Sequence, residues 1–81
     1  MDINKKAAGA LRVGCVTIAD VDETFKTYGI TELRDKIEHL IYAMGSPVVF
    51  MVPGDGKIES EYATILAAFL SGDWKADQTA V

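Results

Sequence analysis

Three features of the sequence predict a mainly α-helical single domain. Apolar residues recur every three or four positions, capping residues stand at segment edges, and glycine-containing breaks divide the chain into four segments and a tail. The breaks are Gly29, Gly45-Ser46-Pro47, Pro53-Gly54-Asp55-Gly56 and Ser71-Gly72-Asp73. About three helices and one extended apolar segment are expected across residues 1–81, read as one domain. The alternative is an α+β arrangement with strands near 11–18 and 48–52.

In the first segment, Ile3, Ala7, Leu11, Gly14, Ile18, Val21, Phe25 and Tyr28 follow alternating steps of three and four after the first two fours, one face of a helix. Lys5, Arg12, Asp20, Glu23 and Thr27 fall opposite. Asp2 is a candidate N-cap and Gly29 a candidate C-terminal stop. A rival reading takes the β-branched cluster Val13, Val16, Thr17 and Ile18 as a strand, with Asp20 and Glu23 capping a fresh helix. An unbroken helix from residue 2 to 28 would be about 40 Å long, against a radius of gyration of about 12 Å for a compact chain of this size. Either the helix breaks near Asp20, or it projects and pairs with another subunit through the small residues Ala7, Ala10 and Gly14.

The second segment has Thr31 as expected N-cap and Leu33, Ile37, Leu40, Ile41 and Met44 on one face, ending at Gly45. Pro47 then favours extended backbone through the apolar run Val48-Val49-Phe50-Met51-Val52, closed by Pro53. After the turn, Asp55 or Ser60 is the expected cap of a helix whose inner face holds Ile58, Tyr62, Ile65, Leu66, Phe69 and Leu70. It should end before Gly72. Residues 73–81 form a polar tail that Trp74 is expected to pin to the core.

Size and charge bound the function. The chain has 81 residues, 12 acidic and 8 basic side chains and a net charge of -4. A folded monomer of this mass buries only about 63% of the surface of its extended chain. With the single cysteine Cys15, neither an internal disulfide nor a cysteine-rich metal site is available to reinforce so small a core. Oligomerisation or docking on a larger partner is the expected source of added stability. Half the residues are hydrophobic and 25% charged, which argues against disorder. Residues 1–19 carry +2, while 20–38 and 39–81 carry -3 each, so no basic stripe exists for phosphate backbones. No export signal or membrane span is read: Arg12 interrupts the apolar run 7–11, and Gly45, Ser46 and Pro47 break the stretch 40–52. A soluble, cytoplasmic protein is expected, with no nucleic-acid or membrane partner.

Each chemical motif competes with a structural explanation. Tyr28-Gly29-Ile30-Thr31 resembles the turn of a helix-turn-helix, but Asp35 and Glu38 fall where that motif requires buried residues, and its second helix is acid-rich. Pro53-Gly54-Asp55-Gly56-Lys57 ahead of a helix contains the parts of an anion site, with Gly54, Gly56 and Lys57 as candidate ligands. It lacks the full phosphate-loop spacing, and Asp55 opposes an anion. Asp20, Asp22 and Glu23 do not follow a calcium-loop pattern. His39 and Cys15, the lone imidazole and thiol, read as packing residues. No catalytic residue, metal ligand or cofactor is assigned.

The expected function is therefore that of a small acidic, non-enzymatic interaction protein, an accessory factor or inhibitor binding a larger protein as a homo-oligomer. Its candidate interface comprises Ile3, Leu11, Val48, Val49, Phe50, Met51 and Val52. The run 48–52 is either a core strand or an edge that pairs with a second copy or partner. The alternative is a small-ligand binder, for a nucleotide or other phosphate, with its site at a subunit interface around Lys57.

Overall fold

A computed structural model describes residues 3–45 and 57–75, arranged as four α-helices. In chain order these are α1 (Lys5–Gly14), α2 (Ile18–Thr27), α3 (Leu33–Ala43) and α4 (Ile58–Ser71). Residues 73–75 are also helical. Helix α3 packs against both α1 and α4, while α2 packs against α1.

Residues 2–28 do not form a single helix. The chain leaves α1 at Cys15 in extended conformation and restarts at Ile18, so the break precedes Asp20. The cause is a capping box three residues upstream of the expected one, with Thr17 as the cap and Asp20 as its partner. Thr17 Oγ1 accepts the Asp20 backbone N–H at 3.1 Å, and Asp20 Oδ2 accepts the N–H groups of Val16 and Thr17 at 3.0 and 3.1 Å. Several otherwise orphaned donors at the helix start are thus satisfied by two side chains. The strand reading of 11–18 fails for the same reason: these residues divide between the end of α1, the corner and the start of α2, and no strand occurs among the described residues. The run 48–52 lies outside them.

The helical stripe therefore works in two halves. Ala7 and Leu11 on α1, and Val21 and Phe25 on α2, are buried as the spacing requires. Gly14 and Ile18, in register on paper, are exposed because the corner swings them off the shared face. Asn4, rather than Asp2, caps α1, its Oδ1 accepting the N–H groups of Lys6 and Ala7 at 3.1 Å each.

Helix α2 ends in a Schellman motif. Gly29 adopts φ +69°, its N–H bonds the Lys26 carbonyl, and the Ile30 N–H bonds the Phe25 carbonyl. Ile30 and Phe25 also meet in the core. Helix α3 starts one residue later than expected, with Glu32 at the cap position and no side-chain cap bond, and Gly45 ends it at φ +79°. For α4, Lys57 holds the cap position and Ser60 lies within the helix; Asp55 is outside the described residues. Gly72, at φ +78°, closes it.

The core joins Ala7, Leu11 and Cys15 from α1 and its end, Val21, Phe25 and Ile30 from α2 and its exit, Leu40 and Ala43 from α3, and Leu66 and Phe69 from α4. Tyr62, Ile65 and Leu70 flank it, so the inner face of α4 is the one that the spacing predicts. Trp74 also packs on the core, stacked on Phe69 with ring centroids 5.3 Å apart, and its indole N–H donates to the Phe69 carbonyl at 2.7 Å. The radius of gyration is 12.1 Å, the compact value rather than that of a projecting helix.

Candidate functional site

The expected interface residues separate on folding. Leu11 is a correction: its side chain is wholly enclosed by the chain's own core and offers nothing to a partner. The periodicity that marked it as apolar is the same signal that a core position gives. Ile3 is half-buried just ahead of α1, before its cap Asn4. Val48, Val49, Phe50, Met51 and Val52 lie outside the described residues, as do Gly54 and Gly56 of the anion-site candidate. Lys57 is exposed at the entry to α4. Glu59 and Glu61 occupy the first turn beside it, placing negative charge where an anion would sit.

Among the described residues the most exposed large hydrophobic side chains stand at the corner between α1 and α2, ahead of the partly exposed Tyr28 and Tyr42. Val13, Val16 and Ile18 are 85%, 72% and 56% exposed. Their sequence neighbours explain the arrangement. Leu11 and Cys15 turn inward and fix the last turn of α1, so Val13 between them points out. Val16 sits in the middle of the three-residue link between α1 and α2 with its N–H held by Asp20, and Ile18 is the first residue of α2. The corner is held on both sides. Cys15 Sγ lies 3.2 Å from Thr24 Oγ1 and 3.8 Å from the Ala10 carbonyl, and the Thr24 hydroxyl in turn donates to the Asp20 carbonyl at 3.0 Å.

The Asp20 carboxyl is held below its ordinary value, first by the Val16 N–H, then by bonds from Thr17. These donors favour the ionised form, which makes the carboxylate part of the corner's scaffold. It is thereby committed to capping. Among the described residues, no group of three or more histidine, cysteine, aspartate or glutamate side chains is placed to hold a metal ion.

His39 is 3% exposed and has a positioning role within the fold. Its Nε2 accepts the Asn4 backbone N–H at 3.0 Å, and its Nδ1 lies 2.6 Å from the Asp35 carbonyl. A carbonyl only accepts, so Nδ1 carries the proton and the ring is the neutral Nδ1–H tautomer. The imidazole therefore fastens the first turn of α1 to α3. Cys15 stands at the other end of α1, and ten helical residues separate the two levels by about 15 Å. The thiol and imidazole are not brought together.

A second polar arrangement lies where α2, α3 and α4 meet. The Lys36 ammonium sits 5.6 Å from the Phe25 ring centroid and 6.0 Å from that of Tyr62. The Tyr62 hydroxyl is buried without a hydrogen-bond partner among the described residues. Burial, and secondarily the charge of Asp22, pushes this phenol above its ordinary value. A raised phenol is a poorer base and nucleophile at neutral pH, and the contacts of Lys36 are those of a packed aliphatic stem ending over aromatic faces.

Sequence reasoning missed the exposed corner because it counted Ile18 in the helix stripe and Val13, Val16 and Ile18 in the rival strand. The signal that locates them is Thr17-x-x-Asp20, which matches the threonine form of a capping box with aspartate in the third helical position. Comparison of the chain with protein-family models, curated proteins and solved structures finds no match.

Proposed function

We propose that the chain is a small acidic, non-enzymatic interaction protein, an accessory factor or inhibitor that binds a larger protein and acts as a homo-oligomer. The observation that carries this reading is the apolar corner of Val13, Val16 and Ile18. Covering apolar surface is favourable by about 25 cal/mol per Å². A corner already fixed by the capping box and by Cys15 loses little freedom when it docks. Three side chains fall short of the roughly 800 Å² per partner that a stable interface needs, so the corner serves as an anchor within a wider contact. No helix among the described residues is long and apolar enough to cross a membrane.

The test uses the full chain, with Val13→Asp and Val16→Asp combined. Light scattering across concentration should give the wild type a mass above the 8.8 kDa of one copy. The double variant should return to one copy with unchanged far-ultraviolet circular dichroism, and should lose any protein that the wild type retains from a lysate. A wild type that stays monomeric throughout, together with a variant that keeps the same bound protein, overturns the proposal. The small-ligand alternative centred on Lys57 has the first-turn acids Glu59 and Glu61 against it. Nucleotide binding by calorimetry that disappears in Lys57→Ala would reverse that preference.

A further inference from the structure

We draw no further inference here: the strongest candidate, the uncharged outward face of α4 formed by Ser60, Ala63, Thr64, Ala67, Ala68 and Ser71, is a stripe of small residues and nothing in the structure shows what covers it.

Discussion

His39 shows how one side chain's bonds decide its role. Its two ring nitrogens face groups of opposite kind, a backbone N–H from Asn4 and a backbone carbonyl from Asp35, and only the neutral Nδ1–H ring satisfies both. In the sequence His39 is merely a polar residue beside the apolar stripe of α3, and nothing there identifies Asn4, 35 positions away, as its partner. Replacing it with leucine keeps bulk but removes the acceptor. His39→Leu is expected to lower unfolding free energy in urea by about 1–3 kcal/mol, the cost of orphaning a donor. Asp20 gives a complementary prediction in pH. Its folded carboxyl titrates below the ordinary 3.8, so its contribution is present above that value and is lost as pH falls from 3.8 through the lower folded one. Asp20→Asn should flatten this acid limb in denaturant midpoints measured across pH. An acid limb of equal steepness in the variant would remove Asp20 as its source.

At the level of elements, the decisive event is the early end of α1. Residues 3–28 carry enough helical spacing for one long helix, yet the Thr17 and Asp20 side chains supply a local alternative for the backbone donors. Once the chain turns there, Val21 and Phe25 can fold back into the core that already holds Ala7 and Leu11. Thr17→Ala should cost about 1 kcal/mol, while Thr17→Ser, which retains a hydroxyl cap, should stay close to wild type. Urea titrations of the two variants check this ordering. The ends of α2, α3 and α4 were legible in the sequence, because Gly29, Gly45 and Gly72 all occupy the left-handed region that glycine tolerates at little cost. Helix starts were less legible. Glu32 and Lys57 occupy their cap positions without a side-chain cap bond, so packing of the following helix, rather than a local signal, sets those boundaries.

For the whole molecule, the one core links all four helices, and Trp74 extends it past the end of α4. Trp74 also bonds Phe69, and Arg12 of α1 lies 5.9 Å from its ring centroid. The chain's single tryptophan thus reports on contacts between its first and last described helices. Fluorescence and far-ultraviolet circular dichroism should give coincident urea transitions, as expected of a small cooperative domain. Phe25→Ala should move both together, with a loss of about 3–5 kcal/mol. Separate fluorescence and dichroism midpoints in the wild type would instead show that the Trp74 end opens independently.

The sequence by itself determined the helical class, the inner face of α4, the glycine stops and the apolar character of Leu11, because each rests on local stereochemistry or on a period of 3.6. It also contained the Thr17-x-x-Asp20 pattern that ends the first helix, although competing periodicity and β-branching obscured it. Only the tertiary structure decided where the first stripe stops facing inward. Leu11 is wholly buried while Gly14 and Ile18, which share its stripe in the sequence, are exposed, since the corner swings them off the shared face. The pairing of His39 with Asn4 was likewise decided in three dimensions, because a hydrogen bond across 35 residues depends on how α1 and α3 pack and leaves no periodic trace in the chain.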